Sequence, residues 1–197
     1  MTVIETPDTV QRAPAKGRIL DTANELFYQN GILTVGVDRI IAQSSVTKAT
    51  FYKHYRSKDN LILEYVRSRR ASVEAQVRSI IESAPSPDSA LLGILESVAG
   101  KLTAQDFRGC PFLNVVAEFP HPTHPARLII AEHRDWYHET LFDLMRGTGH
   151  PFPGEAADEI ILAKDGALAG GYAGDTIAAG AALGRVVKRV LAESVNA

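Results

Sequence analysis

Apolar residues recur at three- and four-residue spacing along almost the whole chain, and nowhere do they alternate with polar ones. Ile19, Leu20, Ala23, Leu26 and Phe27 make one such set, and Leu61, Ile62, Tyr65, Val66, Val73, Val77, Ile80 and Ile81 a longer one. That period puts side chains on one face of an α-helix and cannot line one face of a strand. The fold class is therefore expected to be all-α. Over 197 residues, 45% hydrophobic and 22% charged residues suffice for one to two ordinary globular domains and exclude collagenous, low-complexity and wholly disordered chains. The lone cysteine, Cys110, leaves no intramolecular disulfide and no multi-cysteine zinc site. The first thirty residues carry acids and prolines but no continuous apolar stretch, which predicts no secretory signal and a cytoplasmic protein.

Stop and start signals divide the pattern. Residues 1–13 are polar and aperiodic, and are expected to form a flexible tail. A first helix from Pro14 ends at Asn30 and Gly31. A short second one carries Val37, Ile40 and Ile41, with Asp38 near its positive end. Ser44 and Ser45 break it. Thr47 can cap a third short helix whose Phe51 and Tyr55, four apart, face inward, and Ser57 can cap a long fourth running to Pro85 and Pro87. Beyond lie helices around Leu91–Val98 and Phe112–Phe119, a long one from Pro125 to about Arg146, and two last ones near residues 155–174 and 176–194.

Two short helices joined by Ser44, Ser45 and Val46 and braced by a longer helix have the layout of a helix-turn-helix, whose second member lies in the major groove of DNA. With Phe51 and Tyr55 turned inward, the third helix shows Thr47, Lys48, Ala49, Thr50, Tyr52, Lys53 and His54 outward. Ala49 and Thr50 are small enough for close approach to base edges, while Lys48, Tyr52, His54 and Lys58 are donors suited to phosphates. Charge distribution agrees: residues 1–70 hold 11 Lys and Arg against 7 Asp and Glu, the remainder 10 against 16. Taken as residue types alone, the segment could equally be a solvated, mildly basic three-helix bundle.

The string Gly31, Val37, Ile40, Ala42, Val46, Thr47, Lys48, Ala49, Thr50, Phe51, Tyr52, His54, Tyr55, Ser57 and Lys58 resembles the DNA-binding domain of the tetracycline-repressor (TetR) family of bacterial transcription regulators, over residues 19–63. The resemblance implies DNA contacts at Thr47, Lys48, Ala49, Thr50, Tyr52, Lys53, His54 and Lys58. It also implies an N-terminal helix-turn-helix domain over residues 14–57 and a helical effector-binding and dimerisation domain over 58–197. Two positions depart from the family pattern. Ser45 replaces the usual turn glycine, implying mild strain or another turn shape, and Gly36 stands where Ser or Thr commonly caps the second helix.

In the second half, Gly166, Gly170 and Gly174, then Gly180 and Gly184, recur at four-residue spacing. Glycine costs about 1 kcal/mol per helical position relative to alanine, so close helix approach must offset it. An intramolecular core and a homodimer face both do so; the resemblance favours the homodimer, whose two recognition helices would reach a palindromic operator. A membrane helix over 166–184 is disfavoured by Asp175 and Lys164. After Pro125 the stripe Ile129, His133, Trp136, Thr140 and Leu144 mixes polar groups into an apolar face, and Phe107, Cys110, Phe112, Leu113 and Val116 can oppose it. The expected site residues for a small, apolar effector are Phe107, Cys110, Phe112, Leu113, Val116, His133, Trp136 and Thr140. His121 and His124 supply two metal ligands at most, so no metal and no cofactor is expected.

These readings converge on a non-enzymatic, ligand-responsive regulator of double-stranded DNA, a repressor or an activator of the same fold. A small helical enzyme using Cys110 with His133 or His138 is the alternative, but no nucleophile elbow, phosphate loop or metal motif supports it.

Overall fold

The computed structural model describes residues 14–195, and among them the chain forms nine α-helices and no strand. The tail expected over residues 1–13 lies outside the described residues. Helix α1 (Ala15–Asn30) ends where Gly31 takes φ +86°, and α2 (Val37–Ser44) ends at Ser45 in the left-handed region, φ 53° and ψ 48°. Helix α3 (Lys48–Tyr55) is capped by Thr47, whose hydroxyl accepts the Thr50 N–H, and α4 (Lys58–Ser83) by Ser57, which accepts the Asn60 N–H.

Four later helices, α5 (Pro87–Leu102), α6 (Pro111–Glu118), α7 (Pro125–Gly147) and α8 (Pro153–Ala173), start on a proline, whose missing N–H is no loss in a first turn. Pro87 thus opens α5, capped by Ser86, so only residues 84–86 separate α4 from α5. Helix α9 (Thr176–Val195) folds back on α8.

The N-terminal helices close around Ile19, Ala23, Phe27, Ile40, Phe51 and Tyr55, with the first turns of α4 beneath them: Tyr65 meets Phe27 edge to face, ring centroids 5.5 Å apart. The same buried core continues through the C-terminal helices around Leu91, Leu141, Met145, Leu183, Val187 and Val190. A Cβ on Gly171 would stand 2.8 Å from Leu102 Cδ2 and 3.3 Å from Ala179 Cβ, so a side chain there would make the Leu102 side chain shift.

Helix α7 differs from expectation by a small rotation. Its buried row is Ala126, Ile130, His133, Tyr137, Leu141, Leu144 and Met145, so Ile129, Trp136 and Thr140 flank the core, half-buried. Two adjacent rows of α7 satisfy helical spacing, and contact with α5 and α8 selects the one carrying Tyr137 and Leu141.

Candidate nucleic-acid interface and effector cavity

The side chains of α3 divide cleanly between inside and outside. Phe51 and Tyr55 are 0% and 3% exposed, and the Tyr55 hydroxyl donates to the Lys16 carbonyl oxygen of α1 at 2.8 Å. Burial pushes the Tyr55 phenol up to about 12. Thr47, Lys48, Ala49, Tyr52, Lys53 and His54 are exposed and Thr50 is half-buried, its hydroxyl 2.8 Å from that of Thr47. The Tyr52 ring leans edge-on against Phe51, centroids 5.3 Å apart, which holds its hydroxyl end outward. From Thr47 to Lys58 the chain carries Lys48, Lys53, Arg56 and Lys58 and no carboxylate.

The turn before α3 is braced from α1. Arg18 Nε and Nη2 donate to the carbonyl oxygens of Ser44 and Ser45 at 3.2 and 3.3 Å, satisfying acceptors left free at the end of α2. Ser45 therefore builds with a non-glycine residue the left-handed turn that glycine would occupy freely. Lys58 is placed unlike its fellows. Its ammonium donates to the Ile32 carbonyl oxygen at 2.6 Å and lies 5.9 Å from the Phe27 ring centroid, and burial lowers its pKa despite the nearby Glu118 and Asp59. It points into the α1–α2 loop, because that carbonyl is the acceptor within reach of the first turn of α4.

Two adjoining cavities, of about 270 and 330 Å³, lie among α4–α8. Phe107, Cys110, Phe112 and His133 line the first. Cys110, Phe112, Leu113, Val116 and His133 line the second. Trp136 and Thr140 line neither, a correction that follows from the rotation of α7; Thr140 donates to the Trp136 carbonyl oxygen at 2.8 Å. His133 is 4% exposed, sandwiched near Phe112 and Trp136, centroids 4.3 and 5.7 Å away, and its Nδ1 is buried with no partner among the described residues. Desolvation, reinforced by Lys164, pulls its pKa down to about 4, so the ring is neutral at physiological pH.

Sequence reasoning missed Tyr28, Arg69, Lys101, Tyr137 and Lys164, which also line the first cavity. Lys101 and Lys164 each interrupt an apolar helical stretch, a signal that marks a polar group needing an explanation. The remaining candidates have local roles. His138 stands 3.3 Å from Asp158 and lines neither cavity. His124 caps α7 through the Ala126 N–H and stacks on Phe119, while His121 contacts Thr123. Among the described residues no group of three or more His, Cys, Asp or Glu side chains is disposed to hold a metal, and no helix is long and apolar enough to cross a membrane.

A capped, outward-facing α3 behind a braced turn defines a helix-turn-helix protein that binds DNA. Residues 19–65 match the profile of the family described as bacterial regulatory proteins, tetR family. The chain is 36% identical to SCO4454, a TetR-family transcriptional regulator from Streptomyces coelicolor, covering 91% of this chain and 95% of that one, with a TM-score of 0.88. It is 24% identical over 133 residues to the HTH-type transcriptional regulator LmrA of Bacillus subtilis, covering 64% of this chain and 71% of LmrA. A TetR-family regulator from Agrobacterium tumefaciens shares the fold, with a TM-score of 0.77 at 19% identity over 90% of this chain and 96% of that one. The chain belongs to the TetR family of DNA-binding transcriptional regulators.

Proposed function

We propose that this regulator is a homodimeric repressor that binds a palindromic operator through Thr47, Lys48, Ala49, Thr50, Tyr52, Lys53 and His54, and releases it when a small molecule enters the cavities. Residues 14–57 form the DNA-binding unit and residues 58–197 the effector and dimerisation unit, joined through α4. The observation that carries the DNA reading is the division of α3: two buried rings on one side, an uninterrupted polar and basic flank on the other. Lys58 contributes by holding the α1–α2 loop through Ile32 rather than by reaching a phosphate.

The outer face of α8 and α9 supports the dimer. A Cβ on Gly166, Gly170 or Gly184 would meet nothing within 4 Å, so close packing within this chain does not explain these glycines. Leu162 and Ile177 on the same two helices are 68% and 80% exposed. Such an apolar, small-residue face is stabilised by a second copy. Gly180 instead meets Leu102 at 3.5 Å and Gly174 ends α8, so their share in the dimer face is smaller.

For the effector, Phe107, Cys110, Phe112, Leu113, Val116 and His133 supply an apolar lining with one unpartnered polar atom. Binding there would favour dimers whose recognition helices are wrongly spaced for the operator. The experiment is selection of bound duplexes from a random pool, with light scattering of the free protein. A palindrome with half-sites about 34 Å or a multiple apart, bound by a two-chain species, is the expected result; absence of enrichment, or a monomer, overturns the reading.

A further inference from the structure

The first cavity holds more positive charge than its surroundings neutralise. Lys101, an exposed residue on the last turn of α5, lines it, and its ammonium has no ion-pair or hydrogen-bond partner among the described residues. Lys164 of α8 lines both cavities with its side chain 15% exposed, its ammonium 4.2 Å from the Tyr137 ring centroid and 3.3 Å from Asp165 Oδ1. The other oxygen of Asp165 already accepts from Arg134 at 2.5 Å. Arg69 of α4 also faces the first cavity, giving one N–H to the Asn24 carbonyl oxygen at 2.9 Å and leaving its Nε buried and unpartnered. Among the described residues, Asp106 is the one carboxylate on this wall.

These cations sense one another. The Lys101 pKa is lowered by desolvation first, with Lys164 and Arg69 adding to the depression and Cys110 opposing it. The neutral His133 adds an orphan Nδ1, which as N–H donates to an acceptor and leaves the charge balance unchanged.

We propose that the cavity takes a small organic carboxylate, its head between Lys101 and Lys164 and hydrogen-bonded by His133 Nδ1, its apolar body against Val98, Phe112 and Leu168. A volume of about 270 Å³ suits a medium-chain or bicyclic aryl acid, near the lower end of ligand sites, rather than a nucleotide. The inference rests on the cavity being the effector site and replaces an apolar effector with an anionic one.

The test titrates the full-length protein at neutral pH with decanoate and 2-naphthoate, and with decanamide and 2-naphthamide as uncharged counterparts. Calorimetry and the emission of Trp136, the chain's one tryptophan and 5.7 Å from His133, report binding. The acids are expected to bind saturably and at least about tenfold more tightly than the amides, the range of a charge-assisted hydrogen bond. Lys101→Met and Lys164→Met are each expected to weaken the acids several-fold and leave the amides unchanged, while Lys164→Arg, which keeps the charge, retains acid binding. Amides binding as tightly as acids, or acids indifferent to both methionine variants, overturns the anion and leaves the effector site standing. No saturable binding of any of the four compounds overturns both.

Discussion

The Glu118 carboxylate at the end of α6 accepts the Ile32 and Leu33 N–H groups of the α1–α2 loop at 2.9 and 2.7 Å, across more than eighty residues of sequence. Helix α6 begins at the other end with Pro111 and Phe112 on the cavity wall, so its eight residues form a rod of about 12 Å between cavity and DNA-binding unit. Two further links run alongside. The Tyr28 hydroxyl of α1 accepts the Arg108 N–H at 2.8 Å and donates to the Gly109 carbonyl oxygen at 3.0 Å, and Gln29 Nε2 donates to the Asp106 carbonyl oxygen at 2.8 Å. The loop that walls the cavity is therefore fastened directly to the helix that braces the recognition turn.

Glu118→Ala removes both charge-assisted acceptors from partly solvated donors and is expected to cost about 1–2 kcal/mol of folding stability, read from urea denaturation. It should also raise the effector concentration needed to release operator. Unchanged release would mean that coupling runs elsewhere, for example through α4.

Lys48→Ala and Lys58→Ala separate two kinds of lysine. Lys48 is exposed at the start of α3, so its loss is expected to weaken DNA binding, lower the salt slope by about one unit and leave the melting temperature unchanged. Lys58 holds Ile32, so its loss is expected to lower stability by about 1 kcal/mol as well. Parallel denaturation and operator titrations distinguish them.

Tyr52→Phe is expected to reduce operator affinity by about 1 kcal/mol with no loss of stability, since the hydroxyl has no hydrogen bond within the described chain and the ring contact with Phe51 persists. A neutral result in the DNA titration assigns Tyr52 to packing alone.

Ser45→Gly relieves a non-glycine residue at φ 53°. Left-handed backbone costs an L-residue about 1–2 kcal/mol, and the extra freedom of glycine in the unfolded chain returns part of that. A net gain of up to about 1 kcal/mol, or ~2–4 °C in Tm for a chain of this size, should appear in calorimetry.

His133 makes stability depend on pH. Its folded pKa, near 4, lies below the ordinary 6.5, through desolvation and then Lys164 of α8, with Arg70 on α4 and Arg134 on α7 adding to the depression and Glu74 opposing it. The unfolded ring therefore binds a proton that the folded ring refuses. The contribution is complete above about pH 6.5 and shrinks as pH falls toward 4, by about 2 kcal/mol between pH 7 and 5. Urea midpoints at the two pH values should differ more for the wild type than for His133→Phe.

The helices and their ends were legible from local signals. Thr47 and Ser57 cap because a hydroxyl oxygen beside a helix start has its N–H donor in place whatever the rest of the chain does, and Phe51 and Tyr55 face inward together because four residues make one turn. The outward flank of α3 follows from those two rings, so the candidate DNA surface could be read residue by residue, apart from Lys58. Only the apolar part of the cavity wall around Phe107, Cys110, Phe112, Leu113, Val116 and His133 was legible as well, because apolar spacing identifies a buried face.

Tertiary contact alone decided the rest. The sequence of α7 permits two neighbouring buried rows, and only packing against α5 and α8 selects Tyr137 over Trp136. Lys101, Lys164 and Arg69 stand on three different helices, and Glu118 and Ile32 lie far apart along the chain. Periodicity reports which side of a helix is buried, whereas the meeting of charges from separate helices depends on how those helices cross.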